Sequence, residues 1–512
     1  MDWEGAQPWH SPFWGSIRGH SPADGWGNIH HGLQKIHRKK QQGGSVSLRG
    51  FTPRNGPRNR WGIHDAERCP QRLRNRGNLL ESCGECDHVL RPWPALGRIL
   101  HVYKEPTPWG ITGGRGMKWV KTHHSALSPL RRFKKPVEVS LPKLYRNRKG
   151  FVYVHVPFCL NNCRFCILYR EKPSVPLDSY VNAVKRELQR FKSFKAKVVY
   201  FGGGTPTLLS GEQLGEIIDS IRGKSRPKEI TVETTVREFT REKAEELVSL
   251  GVNRVSFGIQ TFNEKKRLFL GRKSGLDEII KKIELAREHF IVSIDLLYDL
   301  PYGNTLIDDI RTAIELGVDG LSIYPLEHTG YTKDYPHPSV EENERDFLKA
   351  YEILRENGYG HINMNHFTSG KDEFLYSRVF TRPWIPLLGI GCGAGGHVDF
   401  YQTFHPPGVR AYIQNPYRVM IFASESFEVE RFLSGLFEGE LELGECGLEE
   451  FPSLKLAIEK GWGVFDGNGF RLTPRGLFWA NTLAYMMCLD YLRNRFCEFS
   501  SSSLKTESGE VV

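Results

Sequence analysis

The chain lacks any run of 18 uninterrupted apolar residues, which excludes an ordinary membrane-spanning helix. It also lacks a basic N-terminal region followed by an apolar core, so no secretory signal is read at its start. Only 10 of 512 residues are cysteine, far below the density of a disulfide scaffold, and the tightest group is spaced for metal rather than for pairing. These absences together point to a reducing, cytoplasmic setting.

Residues 1–116 are poor in core-forming side chains: Leu, Ile, Val and Phe fill only 19 positions, a level associated with disorder. The same stretch holds 7 of the 11 Trp and 18 of the 52 Gly, with no sustained helical or strand period. Its 17 Lys and Arg against 9 Asp and Glu supply 8 of the net +11 charges. The remaining chain is close to neutral, which argues against nucleic acid as its partner. Cys83 and Cys86 form a lone C-x2-C near Cys69 and His88, read as free thiols before a zinc site. We read residues 1–116 as disordered or outside the natural chain, which would then begin at Met117. A basic tail that binds nucleic acid is the alternative.

What is present begins with a basic lead-in over residues 117–149, expected to run across the surface. A β-then-α rhythm follows. Apolar, β-branched runs at 151–156, 197–201, 229–234, 253–259, 290–297 and 320–325 alternate with helical patterns at 178–193, 211–222, 240–250, 275–288, 305–316 and 341–357. Six such units predict a parallel sheet with right-handed crossovers. Marked residues lie at the strand ends, so the reading is an α/β fold: a partial (β/α)6 TIM-like barrel over 150–400, with its chemistry at the C-terminal face. Residues 401–497 read as a small, mostly helical, winged-like domain, with helix signals over 405–435. Within it, Thr473 caps a helix that starts at Pro474. Residues 498–512 read as a disordered tail.

The strongest local signal is the loop after the first strand, where Cys159, Cys163 and Cys166 make C-x3-C-x2-C. Three soft thiolates from one loop suit an iron–sulfur cluster, and a four-iron cluster would keep one iron open to a ligand. The alternatives are a zinc knuckle or three buried thiols. The nearest fourth ligand, His155, sits inside a strand, badly placed to close a tetrahedron. Gly202, Gly203, Gly204, Thr205 and Pro206 follow the second strand, where glycine permits a sharp bend and close approach to main chain. Glu233 ends the third strand, Gln260 follows the fourth and Asp295 lies near the end of the fifth.

The stretches YVHVPFCLNNCRFC, YFGGGTPTLL, VNRVSFGIQTFN, LGR and SIDLLYDLP, in this order, resemble the oxygen-independent coproporphyrinogen III oxidase family of radical S-adenosylmethionine (SAM) proteins. The resemblance implies a [4Fe–4S] cluster on Cys159, Cys163 and Cys166, with SAM on the open iron and cleaved there by an electron from the cluster. It implies Tyr153 and Phe165 beside SAM, Gly203, Gly204 and Thr205 at its methionyl part, and Glu233, Gln260, Arg272 and Asp295 on its polar groups. It further implies an external electron-donor protein, a tetrapyrrole-like substrate and a monomer.

Relatives differ in activity: some oxidatively decarboxylate coproporphyrinogen III, some methylate haem and open its ring without oxygen, and some carry haem. Oxidative decarboxylation of coproporphyrinogen III is the expected activity, haem modification the runner-up and haem carriage the reading from another class. Three departures bear on this. Leu168 stands where the oxidases usually have a further cysteine. Asp299 replaces the glycine of their Tyr-Gly-Leu-Pro, near a second SAM. The carriers' His-Asn-x-x-Tyr-Trp motif is absent, and Leu388–His397 is closer to the haem-degrading relatives. Cys392 in that stretch reads as a small buried residue.

Overall fold

The computed structural model describes residues 118–494, apart from Lys224, residues 444–447, 449–450 and Asn468. The readings for the first 116 residues, including Cys83 and Cys86, and for the last fifteen lie outside the described residues.

Strand β1 (Lys134–Pro136) comes from the lead-in. The six expected parallel strands follow as β2 (Lys149–Val156), β3 (Lys195–Gly203), β4 (Glu229–Thr234), β5 (Arg254–Gln260), β6 (Ile291–Tyr298) and β7 (Gly320–Pro325). Helices Leu177–Leu188, Gly211–Arg222, Arg241–Ser249, Leu276–Arg287, Leu306–Glu315 and Val340–Glu356 alternate with them as the apolar periods predict. Strands β8 (Gly360–His361) and β9 (His366–Thr368) continue the sheet antiparallel beyond β7.

Beyond β2 the sheet goes further than the six-unit reading. Strand β10 (Leu387–Ile390) adds parallel to β2, and β11 (Gly395–Val398), β12 (Tyr401–Phe404) and β13 (Met420–Ser424) extend the edge antiparallel to β1. The thirteen strands form one sheet in the order β1-β13-β12-β11-β10-β2-β3-β4-β5-β6-β7-β9-β8. Strands β14 (Glu440–Glu442), β15 (Gly463–Phe465) and β16 (Gly469–Leu472) form a separate small sheet beside helices Phe427–Glu438, Pro452–Glu459 and Pro474–Asn494. The expected cap is present: Gly476 N–H donates to Thr473 Oγ1 at 3.1 Å. No helix among the described residues is long and apolar enough to cross a membrane.

Two expectations need correction. The lead-in does not merely run over the surface: Leu130, Leu141 and Tyr145 are buried, β1 pairs with β13, and Tyr145 Oη donates to Leu387 O at 2.7 Å. Its apolar residues are few but fall where each meets the core. The helical signal over 405–435 hides β13, whose β-branched and aromatic residues pair with β12 after the Asn415–Pro416 break.

Period-two alternation decides what each face of the parallel sheet carries. Val152, Val154, Val199, Phe201, Ile230, Val232, Val255, Phe257, Val292 and Ile294 pack against the helices in one large core. The alternate residues point to the concave side, and they are largely polar: Tyr153, His155, Tyr200, Glu229, Glu233, Arg254, Gln260 and Asp295.

The floor of that concavity is closed by the segment before β10. Phe374, Leu375, Tyr376, Val379 and Ile385 pack with Phe151, Val198 and Leu387. Arg254, 1% exposed, pins this plug through a bidentate pair with Asp372 (Nε–Oδ1 2.8 Å, Nη2–Oδ2 2.9 Å) and lies over the Phe374 ring at 3.9 Å. His366 Nε2 meets Asp372 Oδ2 at 3.1 Å, and Glu229 accepts the main-chain N–H of Leu375 at 2.8 Å. Burial works against the Asp372 charge, but Arg254 and His366 together outweigh it and hold the carboxyl well below the usual range.

Removing one partner of a buried pair leaves the other charge uncompensated. Asp372→Ala should therefore cost about 3–5 kcal/mol in chemical denaturation. A loss under about 1 kcal/mol would show that the plug is held otherwise.

Candidate functional site

The C-terminal ends of β2–β6 open on one mouth, and the cysteine loop lies across it. The loop's base is closed where Cys159 N–H donates to Glu171 O at 3.0 Å and Glu171 N–H to Pro157 O at 2.8 Å. Arg170 clamps its tip from below, donating to the carbonyls of Cys163 and Cys166 at 3.0 Å each. Two loops from other strands are stitched to it. Thr205 N–H donates to Phe158 O at 2.7 Å and its Oγ1 reaches Cys159 Sγ at 3.5 Å, while Arg164 N–H donates to Leu270 O at 3.0 Å. Gly271, at φ +88°, must be glycine here, since a Cβ would stand 3.3 Å from Cys163 Cα.

All three thiols are free; Cys159 and Cys163 are buried and Cys166 is half-buried. Burial pushes the Cys163 and Cys166 thiols up, opposed chiefly by Arg272 and Arg170 respectively. These cations favour the thiolate form that a metal requires. The three sulfurs do not all lie within 4.8 Å of one another. Thiolates on one tetrahedral zinc stand about 3.8 Å apart, so this wider spread suits a multi-iron cluster. His155 is no fourth ligand: Nδ1 meets Tyr153 Oη at 2.9 Å and Nε2 meets Tyr169 O at 3.0 Å.

Beside the loop stand the residues from β3–β6. Glu233 accepts from Tyr200 Oη at 2.6 Å and from Gly203 N–H at 3.3 Å. Gln260, at φ +69° on a bulge of β5, accepts from Arg272 Nε at 2.9 Å through Oε1. Arg272 lies over the Phe165 ring at 5.5 Å, and Phe165 packs against the Leu270, Leu297, Leu300 and Leu326 cluster. Tyr153 faces Tyr376 in a stacked pair at 6.1 Å. Burial raises Glu233, and it pushes Asp295 up to about 7 with help from the neighbouring Glu233 charge. Two buried carboxyls without a direct ion pair make a pocket that favours an incoming cation.

Glycines of the Gly202–Gly204 turn have a packing reason of their own. A Cβ on Gly203 would meet the His155 ring at 2.6 Å, and one on Gly204 would meet Phe158 O at 2.4 Å.

A second polar node lies at the end of β6. Asp299, at φ +60° and 2% exposed, accepts from Lys121 Nζ, from Asn343 Nδ2 at 2.9 Å and from His328 at 2.8 Å. With His337 it forms a set of ligand atoms within 4.8 Å. That set is already satisfied: His337 faces Asp299 O at 2.8 Å and Thr332 O at 3.0 Å, and Lys121 sits 2.8 Å from His328 Nε2. The ammonium stands where a cation would go.

The Radical SAM superfamily model matches residues 153–317, the span that carries the cysteine loop, Gly202–Thr205, Glu233, Gln260, Arg272 and Asp295. Heme chaperone HemW of Bacillus subtilis is 30% identical over 316 residues, 55% of this chain and 82% of that protein. The chain belongs to the radical SAM superfamily. Anaerobilin synthase of Escherichia coli O157:H7 is 27% identical over 369 residues, 66% of this chain and 83% of that protein. Among solved structures, coproporphyrinogen III oxidase (HemN) from Escherichia coli superposes with a TM-score of 0.59 at 21% identity, covering 77% of this chain and 98% of that one, which shows a shared fold.

Radical SAM proteins bind a [4Fe–4S] cluster and SAM, and the three-thiol loop with its buried acids fits both. Sequence reasoning missed Arg170, the Arg254–Asp372 pair and Lys121. The available signals were a cation four residues past the triplet and a lone arginine at an inward-facing position of a buried strand.

Asp295 keeps its proton when folded at a pH where the unfolded chain has lost it. Its contribution is present at low pH and is lost as pH rises from the ordinary aspartate range to about 7. The cluster-free protein should lose stability over that window, and Asp295→Asn should flatten the slope; an unchanged slope would refute the assignment.

Proposed function

We propose that this chain cleaves SAM reductively and directs the resulting radical chemistry at a tetrapyrrole. Cys159, Cys163 and Cys166 would hold a [4Fe–4S] cluster, which would supply the electron for cleavage of SAM to methionine and a 5′-deoxyadenosyl radical. The observation that carries this reading is the convergence of the cysteine loop with Glu233, Gln260, Arg272 and Asp295 at one mouth.

Each residue has work suited to its chemistry. Glu233 and Asp295 offer negative charge and acceptors to the methionyl amine and the ribose hydroxyls. Arg272, oriented by Gln260, offers its remaining guanidinium N–H groups to the carboxylate. Thr205 and Arg170 hold the cysteine loop in shape, while Phe165 and its leucine cluster keep water from one side.

Two tetrapyrrole reactions are in view: oxidative decarboxylation of coproporphyrinogen III, and anaerobic modification of haem. Asp299 favours the second. A carboxylate tied to Lys121, His328 and Asn343 fills the place of a glycine near which the oxidases hold a further SAM, and the likeness to anaerobilin synthase over 83% of its length points the same way.

After anaerobic reconstitution with SAM and reductant, chromatography should detect 5′-deoxyadenosine, and haem should raise its yield more than coproporphyrinogen III does. Cys163→Ser should abolish it together with the cluster's visible absorbance. Arg272→Ala should lower the rate at least tenfold, the scale of one lost charge-assisted contact at about 1.4 kcal/mol or more. Tight haem binding with no SAM cleavage under any condition would make the chain a carrier instead.

A further inference from the structure

A wall of aromatic rings leads away from the mouth toward the lead-in segment. Tyr200, which donates to Glu233, stacks on Tyr376 with centroids 4.2 Å apart; Tyr376 meets Phe380 at 6.3 Å, and Phe380 meets His123 at 4.8 Å. Phe380 and nearby Trp384 remain 42% and 45% exposed, although each belongs to the plug that closes the barrel floor. Tyr200 and Tyr376 are buried against each other, so the face open to a broad, flat, apolar ligand is that of the exposed Phe380 and Trp384 rings at the outer end of the series.

The far end of this wall carries two imidazoles. His123 and His124 stand with ring centroids 3.9 Å apart. Among the described residues no hydrogen bond or ion pair engages a ring nitrogen of either, whereas His155, His366 and His337 have both nitrogens bonded. Burial pushes His123 well below the usual histidine range, so its lone pair is free at neutral pH.

The pair is also held firmly. Thr122 caps its short helix, Val120 N–H donates to Thr482 Oγ1 at 2.9 Å, Asn481 Nδ2 donates to Lys121 O at 3.0 Å, and Trp119 stacks on Phe478 at 5.0 Å. Arg131, whose Nη2 reaches His124 O at 3.5 Å, sets positive charge beside it.

We propose that the His123–His124 pair supplies one axial ligand to the iron of a haem-type tetrapyrrole that lies against the exposed ring of Phe380. Neutral imidazole is a ligand suited to iron, the rings suit the macrocycle, and Arg131 suits its carboxylate side chains. The inference rests on the tetrapyrrole reading above and deepens it, since a metal-free porphyrinogen offers nothing for an imidazole to bind.

The test is a titration of ferric haem into the full reconstituted chain, followed by the Soret band and by electron paramagnetic resonance. Wild type should show a shifted Soret band and, after reduction and addition of nitric oxide, the nitrogen hyperfine splitting of one axial imidazole. His123→Ala/His124→Ala should lose that signal and at least tenfold in haem affinity, while metal-free protoporphyrin should bind both proteins alike. Added imidazole should restore the signal in the double variant, which separates a lost ligand from a lost fold. The single variant His124→Ala, at an exposed position, gives a second reading if the double variant folds poorly. An unchanged imidazole splitting and affinity in the double variant, or metal-free protoporphyrin binding wild type as tightly as haem, would overturn the proposal. Formation of 5′-deoxyadenosine, read in parallel, reports on the radical half independently.

Discussion

Arg254 and Asp372 form a buried ion pair at the floor of an open sheet, and the rest of the site stands on it. A parallel sheet with helices on one face must put something on the other, and here that something is polar: Tyr200, Glu229, Glu233 and Asp295 look into the concavity with the arginine beneath them. Such a layer survives without water only if its charges are compensated from within the chain. Asp372 does this from a segment that is not part of the parallel strands at all, and the same segment brings in Tyr376 and the exposed rings beyond it. Floor, wall and charge balance are therefore one structural decision.

Much of this was legible in the order of residues. Strand and helix periods in 150–357 were strong because each strand is buried on the helix side by an unbroken series of β-branched and aromatic residues, and each helix has one apolar face. The cysteine loop, Glu233, Gln260 and Asp295 were visible because they sit where such strands end. What stayed hidden depends on long-range pairing. The docking of the lead-in is made by a few residues whose partners lie more than two hundred positions away, and no local period reports that. Arg254 was hidden for a related reason: an arginine in a strand is read as a solvated edge until its partner from residue 372 is known.

The family's shared chemistry and the substrate question separate cleanly in space. Groups suited to a cluster and SAM come from the ends of β2–β6, within the span of the superfamily match. The Asp299 node with Lys121 and the ring series that ends at His123 and His124 lie beyond those loops. Both draw on the lead-in segment. A radical-generating centre common to many proteins is thus bordered by a piece of chain that the superfamily model does not reach.

The bond from Val120 to Thr482 joins positions 362 residues apart. During synthesis, every strand of the parallel sheet and the whole cysteine loop exist before the partner of Val120 has been made. Strand β1 and Tyr145 can dock once residues 387 and 422–424 are made, and Lys121 can reach Asp299 and His328 earlier still. Trp119 and Val120 must wait for Phe478 and Thr482, so the order of translation fixes the first turn of the lead-in last.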